Sequence, residues 1–466
     1  MAVYGLGRQL TLAPLYALIG AGAFATMPEV VLQSTSAQND LVAAAFTGCA
    51  VYFIIDGLQR TRVASLALSV VALGLGVGTK PTAFLIVPGV ALGALALLWT
   101  RRESALHLVP RPVAVMTASL LLASVVGGSW YIGNWRDYGS ISGPPEVTQL
   151  QQVAHPSLIT LVINLVRHAN GLIDPAGPAF LTHPTSRIAC GITGHVREAI
   201  TRVAHIPPTN QALEWPGTTY SPYPSCSFSE NGSWFGLAGM MAMLAAVAWF
   251  VTPIIRRRPD TAWLLAAGSV SWIVCASLLL RWQPWEGRLL CPAMVLSAPL
   301  LGLVARSAAR RPWGRWAIMA AILYTSLGGL SAALKNPDTP IRAWAAPRTV
   351  VQVQQRPLMG PVLDQLRKTV PDHARLGVYT TMDDWIFPLF GPHLDRVVVP
   401  LVLPAGARAH PNHLPHVEFI VTHQTSSRVA IVVQSVHGAR CHLTWSGRPD
   451  QEGTPWSLYR CTPLHG

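Results

Sequence analysis

The chain has 466 residues, of which 51% are hydrophobic and only 12% are charged. This apolar composition, with a mean hydropathy of +0.37, excludes an ordinary soluble enzyme and indicates a protein that crosses a membrane several times. The formal net charge of +13 comes from arginines clustered between apolar segments, so membrane topology explains it better than binding to nucleic acid does.

Apolar segments long enough to cross a bilayer recur through residues 1–334. They predict a mainly α-helical, polytopic transmembrane bundle. The glycines of LGLGVG, residues 73–78, fit close packing of helices in lipid. We count about nine segments of roughly 20 residues, near residues 11–29, 42–58, 63–79, 81–99, 112–132, 233–255, 261–280, 288–305 and 315–333.

The loops between these segments alternate in charge. The positive-inside rule places the arginine-rich loops in the cytoplasm, which predicts a multi-pass protein of the cytoplasmic membrane. Asp40, Lys80, the long loop 133–232 and the segment 335–466 then lie on the outer face. The arginines that define the cytoplasmic face are Arg60, Arg62, Arg101, Arg102, Arg111, Arg256, Arg257, Arg258, Arg306, Arg310, Arg311 and Arg315.

Residues 335–466 differ in character, because their apolar runs are short and rich in β-branched residues. Pro, Gly and polar residues separate these runs, as they separate strands. The segment therefore predicts a small extracytoplasmic α/β domain. We predict strands within residues 374–380, 396–403, 417–423 and 429–433, and a helix at about 351–370.

Four cysteines fall on the predicted outer face, where an oxidising compartment lets disulfides persist. Their order along the chain favours the pairs Cys190–Cys226 and Cys441–Cys461. The connectivity stays open at this point, because a sequence alone does not decide it.

Polar residues of the outer face lie beside the ends of the apolar segments. Gln33, Asn39 and Asp40 follow the first segment, and an ionisable group beside a span is usually either functional or directed into water. Asp40 has the alternative role of a cap for the next helix, since Asn and Asp are good N-caps. Lys80, between two segments, is either functional or a lysine that extends to the interface.

Two further stretches also have both a functional and a simpler structural interpretation. RWQPWEGRLL contains Arg281, Glu286 and Arg288, and its simpler interpretation is an interfacial aromatic belt with a local Arg–Glu pair. NWRDYG contains Arg136, and it is otherwise an ordinary exit from the membrane.

Together these stretches put an acid and several cations at the depth of the lipid headgroups. Arg and Lys suit a phosphate group, and they can stabilise the charge that develops when a phosphate leaves. A polyprenyl-phosphate sugar presents its phosphate at that depth. The sequence thus favours a phosphate-bearing lipid, among membrane lipids, as the binding partner, and composition alone does not name a polyprenyl-phosphate sugar.

The order of these motifs resembles that of a known enzyme family. PEVVLQSTSAQNDL, LGLGVGTKPTAFL, NWRDYGSISGP, SENGSWFG and RWQPWEGRLLCPAMVL follow one another as in bacterial GT-C fold glycosyltransferases, which are similar to protein O-mannosyltransferases and the lipid A aminoarabinose transferase. The resemblance covers most of the membrane region, and residues 378–401 resemble the outer tail of that family. It rests on the order and topology of the motifs rather than on any single one.

The resemblance implies transfer of a sugar from a polyprenyl-phosphate donor to an extracytoplasmic acceptor, with inversion at the anomeric carbon. The acceptor would be a cell-envelope glycan, lipid or protein. The resemblance also implies that Asp40 helps to form the catalytic cavity and that Lys80 and Arg288 lie by the donor phosphate. Family members differ in their use of divalent metal ions, so no metal or other cofactor is assigned. Further candidates are Arg281 and Arg136 for phosphate binding, and Gln33, Asn39 and Glu286 for support of the site.

Two other functions stay open: a transporter or flippase that binds the same headgroup, and a catalytically inactive relative of the enzymes. Transporters tend to have two repeated halves with interrupted helices, and the sequence has no such repeat. In the resembling family an acidic loop precedes the region matched by Asp40, whereas here only one span precedes it. We therefore expect that two N-terminal spans are missing and that the chain as written is inactive or nearly so.

Overall fold

The structure is a computed structural model. It describes residues 1–36, 38–100, 112–207, 210–256, 260–336, 353, 358–380, 384, 386–391, 393–401, 414–424, 426–449 and 455–463. The chain divides into two compact units, Met1–Ile341 and Arg342–Gly466, which we describe separately.

The first unit is built from helices. Short 3₁₀ turns at Pro81–Ile86, Pro178–Leu181 and Gln211–Leu213 link some of them. The helices are α1 Ala2–Gln9, α2 Pro14–Ala25, α3 Pro28–Thr35, α4 Asp40–Arg60, α5 Val63–Thr79, α6 Val87–Thr100, α7 Pro112–Tyr138, α8 Pro145–Gln151, α9 Leu158–Leu172, α10 His183–Val203, α11 Gly236–Arg256, α12 Thr261–Leu279, α13 Glu286–Leu289, α14 Cys291–Ala308 and α15 Pro312–Lys335.

A helix lies at each of the apolar segments predicted from the sequence, so the mainly helical class is confirmed. Among the described residues, five helices are long and apolar enough to cross a membrane, or six if the bent pair α2 and α3 counts as one span. The five are α4, Pro81–Trp99, α12, α14 and α15. The predicted number of about nine spans stays a prediction. Arg101, Arg102, Arg111, Arg257 and Arg258, which were used to orient the chain, lie outside the described residues.

The first predicted span, residues 11–29, is not one straight helix. It ends at Ala25, and α3 begins at Pro28 after a bend of 66°. Proline favours the first turn of a helix, because it has no N–H to leave unpaired there. The backbone N–H of Glu29 donates to the carbonyl of Trp234 at 3.0 Å. The bend thus directs the polar residues of α3 into the protein.

Glycines let α5 and α7 approach closely, as the LGLGVG stretch predicted. A Cβ added at Gly127 would meet the carbonyl oxygen of Gly74 at 2.1 Å, and one at Gly78 would meet the Cα of Gly127 at 2.6 Å. Such close contact between backbones is how small residues hold helices together in lipid. α7 thus holds α5 on the face that α4 does not contact. Lys80 follows the last residue of α5.

The second unit is a small α/β domain. Its described residues include the α-helices α16 Met359–Thr369 and α17 Ser426–Gln434, and a 3₁₀ turn at Phe387–Phe390. Its sheet has the order β2-β1-β3-β5-β4, with β1 parallel to β2 and β3, and β5 antiparallel to β3 and β4. The strands are β1 Arg375–Tyr379, β2 Val397–Pro400, β3 Phe419–Thr422, β4 Ala439–Pro449 and β5 Pro455–Pro463.

Three of the predicted strands are confirmed, and one is wrong. Residues 429–433 lie in the helix α17 rather than in a strand. Val429 and Val432, three residues apart, are both buried, and this spacing puts them on one face of a helix. The length of an apolar run distinguishes a helix from a strand only when the run is long, so a short run fits both. Sequence analysis also missed β4 and β5.

The two predicted cysteine pairs differ in the structure. Cys441 and Cys461 oppose each other in β4 and β5 and form a disulfide. The predicted Cys190–Cys226 bond is not formed, and both residues are free thiols. The Cys190 thiol instead contacts the carbonyl of Ser225 at 3.7 Å. Burial and a hydrogen bond with Cys226 raise the pKa of Cys190 to about 12.

Gly127 and its neighbour Gly128 provide a matched test of the α5–α7 contact. Gly127→Ala should destabilise the protein by about 1–3 kcal/mol, because overpacking forces the two backbones apart. Gly128→Ala should be nearly neutral, since a Cβ there meets nothing within 4 Å. Thermal unfolding in detergent measures both, and equal melting temperatures for the two variants would contradict this packing.

Candidate active site

An ion pair forms where α4 begins and α5 ends. The two helices are joined by Thr61 and Arg62, so they run in opposite directions and the first residue of α4 lies beside the end of α5. Lys80 Nζ binds Asp40 Oδ1 there. The Asp40 side chain is 1% exposed and that of Lys80 is 19% exposed. The hairpin of two helices thus brings together two groups that are far apart in the sequence.

The simpler interpretations of Asp40 and Lys80 do not describe this arrangement. Asn39, and not Asp40, occupies the N-cap of α4, and no side-chain capping hydrogen bond forms there. The Asn39 amide instead donates to the carbonyl of Thr79 at 2.7 Å, which ties the two helix ends together. Lys80 pairs with an acid rather than extending to the interface.

Arg288, in α13, lies close enough to Lys80 for its charge to act on it. Its Nη1 donates to Asn231 Oδ1 at 2.8 Å, and Gln38 Nε2 donates to the same oxygen at 3.1 Å. Asn231 therefore bridges the chain before α4 and the chain of α13. Sequence analysis missed Asn231, because a single asparagine in a long polar loop carries no signal.

Glu29 was also missed, and it is wholly buried beside this pair. Gln33 Nε2 donates to Glu29 Oε1 and to the carbonyl of Glu230, both at 2.9 Å. The charges of Asp40 and Arg288 both act on Glu29. Its signal in the sequence was an ionisable residue at the end of an apolar segment, which is a site hypothesis by default.

Several polar atoms of this cluster have no hydrogen-bond partner within the part of the chain that the structure describes. They are Glu29 Oε2, Gln38 Oε1, Asp40 Oδ2 and Arg288 Nε, and all are buried. Buried polar atoms are nearly always hydrogen-bonded, so each exception needs an explanation. Four such atoms around one ion pair indicate a place where a polar ligand completes the hydrogen bonding.

The other predicted site residues lie outside this cluster. Arg281 Nε donates to the carbonyl of Gln152 at 3.0 Å. Arg136 is 81% exposed and pairs with Asp137 at 2.9 Å. Glu286 does not pair with an arginine: it is wholly buried, with Oε1 at 2.7 Å from His168 Nε2. The structure therefore brings Gln33, Asn39, Asp40, Lys80 and Arg288 together, and leaves the others apart.

The described ranges contain no group of three or more His, Cys, Asp or Glu side chains that could hold a metal ion. We assign no metal ligand to the cluster.

Substitutions at the ion pair test its energetics. Lys80→Met leaves the buried Asp40 carboxylate without its cation, and we expect a loss of about 3 kcal/mol of stability, at the low end for a buried pair because Lys80 is partly exposed. Adding Asp40→Asn to that variant should restore part of the loss. Melting temperatures in detergent measure both changes.

Arg136→Met is the matched control, since its pair with Asp137 is exposed and surface pairs contribute little. A melting temperature that falls equally in Arg136→Met and Lys80→Met would show that burial of the Asp40 pair has no special importance.

Comparison with known proteins gives one match. Residues 1–130 match the model of a family described as dolichyl-phosphate-mannose-protein mannosyltransferase. No curated protein and no solved structure matches the chain. The matched segment contains Glu29, Asp40 and Lys80. It supports a GT-C-like glycosyltransferase, and the resemblance seen in the sequence is confirmed to this extent.

Proposed function

We propose that this protein is a membrane glycosyltransferase that moves a sugar from a polyprenyl-phosphate donor to an acceptor outside the cytoplasm. One observation carries the proposal: the Asp40–Lys80 pair, with Arg288 beside it, is surrounded by buried polar atoms that have no hydrogen-bond partner in the described part of the chain. Both members of the ion pair, Asp40 and Lys80, fall in the segment that matches the mannosyltransferase family model.

The cations supply the contacts for the donor phosphate. Lys80 is partly exposed, and Arg288 Nε has no partner among the described residues. A guanidinium and an ammonium both bind phosphate oxygens, the first through two N–H groups in a fixed geometry. Held in this way, the phosphate is also stabilised when it gains charge as the leaving group.

The unpaired oxygens supply acceptors for hydroxyl groups. Asp40 Oδ2 and Gln38 Oε1 accept hydrogen bonds, which a phosphate oxygen cannot donate. A ligand that carries both a phosphate and hydroxyl groups satisfies the cations and the acceptors together. A sugar phosphate is such a ligand, and a lipid phosphate alone is not.

The reaction follows from these roles. The acceptor hydroxyl oxygen forms a bond to the anomeric carbon of the sugar, while the bond from that carbon to the phosphate oxygen breaks. The electron pair of the broken bond goes to the phosphate, which Lys80 and Arg288 hold. Asp40 takes the proton of the acceptor hydroxyl, a step that contributes typically about 10²–10⁴-fold to such rates. Gln33 and Asn39 support the positions of the surrounding residues through their hydrogen bonds.

The orientation is part of the proposal. α4 carries Asp40 at one end and Arg60 at the other, and its 21 residues suffice to cross the hydrocarbon core. If the positive-inside rule places Arg60 in the cytoplasm, Asp40 faces the outside. The disulfide Cys441–Cys461 fits an oxidising outer compartment for the second unit.

Transfer is tested with the full chain in lipid nanodiscs and labelled polyprenyl-phosphate sugars. The wild type should release polyprenyl phosphate, contrary to the inactivity expected from the sequence, and Asp40→Asn should lower that rate at least about 100-fold. Lys80→Ala should mainly weaken donor binding, since the phosphate contact acts in ground and transition states alike.

Asp137→Asn, which changes an exposed acid, should transfer at the wild-type rate and is the matched control. Donor binding by the wild type without any release of polyprenyl phosphate would contradict transfer and favour a transporter or an inactive relative. Full turnover by Asp40→Asn would remove the catalytic role of that acid.

Reporter fusions test the orientation. Reporters placed after Arg258 and after Gly466 should report opposite sides of the membrane, because the first position follows an arginine-rich loop on the proposed inner side. Reports from the same side would contradict the proposed topology, whatever the transfer assay finds.

A further inference from the structure

A second buried charged network lies among α9, α12 and α13. His168 and Glu286 are 1% and 0% exposed, and His168 Nε2 lies 2.7 Å from Glu286 Oε1. The other ring nitrogen, Nδ1, lies 2.7 Å from the carbonyl oxygen of Asn164 and 3.0 Å from Ser277 Oγ. His168 thus joins the outer end of α12 to the first residue of α13.

These contacts determine where the protons lie. The carbonyl of Asn164 can only accept a hydrogen bond, so His168 Nδ1 carries a proton. Nε2 faces a carboxylate at 2.7 Å, and this contact also needs a proton between the two atoms. The raised pKa of His168 favours this proton on the ring, and Glu286 then balances the charge of the imidazolium.

Neighbouring groups shift the pKa of His168 in both directions. Burial acts to lower the pKa of His168, but the charge of Glu286 and the hydrogen bonds to Glu286 and Asn164 outweigh it, so the pKa is raised above its usual value. The charge of Arg167, the preceding residue, acts to lower this pKa. Arg167 is itself paired with Glu214 at 2.7 Å and lies over the ring of Tyr220.

This arrangement is not a nucleophilic triad, although Ser277, His168 and Glu286 are its members by residue type. Ser277 Oγ faces Nδ1, which already donates to the carbonyl of Asn164, so no free lone pair is left to take a proton from serine. Ser277 is also wholly buried. The network therefore has a positioning role.

The element that it holds carries Arg288. α13 has only four residues, Glu286–Leu289, and a helix so short depends on tertiary anchors rather than on its own hydrogen bonds. One anchor is the approach of Gly287 to the carbonyl of Ser233, where an added Cβ would lie at 2.4 Å. The other is the contact of Glu286 with His168.

We propose that His168 is a positioning residue that, through Glu286, holds α13 so that Arg288 can bind the phosphate of the lipid-linked donor. This inference rests on the proposed function for the role of Arg288, but not for the anchoring of α13. When His168 loses its proton, the buried Glu286 carboxylate loses the cation that contacts it, which is unfavourable, and Arg167, which is paired with Glu214, compensates only through its more distant charge. α13 then shifts, and Arg288 moves with it.

The raised pKa of His168 determines the direction of the pH dependence. The folded protein raises the pKa of His168, so the anchor is fully present below the ordinary histidine pKa of about 6.5. It is lost as the pH rises through the raised value. Affinity for a phosphodiester should therefore fall as the pH increases.

Two measurements on the full chain in nanodiscs test this inference. One is the binding of a polyprenyl methyl phosphodiester, a probe whose single charge does not change between pH 6 and pH 9. The other is hydrogen exchange of the backbone in residues 281–290, compared between variants at the same pH. The exchange measurement needs no ligand.

We expect the wild type to bind the diester at least tenfold more tightly at pH 6 than at pH 9. His168→Gln and Glu286→Gln should bind weakly at both pH values and should lose protection in residues 281–290 at pH 6. Arg288→Ala should bind weakly at both pH values but keep that protection, because the substitution leaves the contact between His168 and Glu286 intact. His195→Gln, which changes a histidine that is 76% exposed, should behave as the wild type.

His168→Gln with wild-type binding at pH 6 and wild-type protection would overturn the inference. Wild-type exchange in residues 281–290 in both the His168 and Glu286 variants would do the same. If the wild type binds no diester at any pH, the proposed function is contradicted, and the exchange result alone decides whether His168 anchors α13.

Discussion

Asp40 can keep its charge inside the protein because Lys80 lies directly against it. A buried carboxylate without a cation is strongly unfavourable, so the chain must hold the two helix ends together. The hairpin of α4 and α5 does this, with the Asn39 amide across the two ends. The close contact of α5 with α7 through Gly74, Gly78 and Gly127 then fixes the side of the hairpin away from α4. The polar cluster depends on this apolar packing.

The charges of the first unit form two groups with different tasks. In the group around Asp40 the cation Lys80 is partly exposed, which is the arrangement expected where a ligand can reach it. In the group around His168 both cations are wholly buried in close ion pairs, which is the arrangement expected where an element is held in place. Both groups contain buried polar atoms without a hydrogen-bond partner among the described residues, so the exposure of the cations separates them. α13 joins the groups, because Glu286 belongs to the second and Arg288 to the first.

Much of the fold could be predicted from the sequence, because apolar length and arginine placement are local signals. Each predicted span has a helix, and three strands of the second unit were located. The bend at Pro28 and the helix at residues 429–433 were not predicted. A proline at the end of an apolar run and a short run of valines each fit two local structures.

The site could be predicted only in part. Asp40, Lys80 and Arg288 stood out as charged residues beside apolar segments, and they do lie together. Gln33 and Asn39 were named as supporting residues, but their partners were not, because the contacts cross long stretches of chain: Gln33 bonds the carbonyl of Glu230, 197 residues away. In the second group, Ser277 bonds a histidine 109 residues away. A sequence without aligned relatives has no signal for such pairs. Glu29 was missed although an ionisable residue at the end of an apolar segment is visible in the sequence.

The proposed role of the Asp40–Lys80 pair depends on where a lipid-linked sugar binds. A structure of the full chain with a polyprenyl-phosphate sugar bound, determined in nanodiscs, tests this most directly. We expect the phosphate within hydrogen-bonding distance of Lys80 Nζ and the Arg288 guanidinium, with sugar hydroxyls against Glu29 or Asp40. A phosphate bound elsewhere, with the Asp40–Lys80 pair closed and no ligand atom near it, would contradict the account.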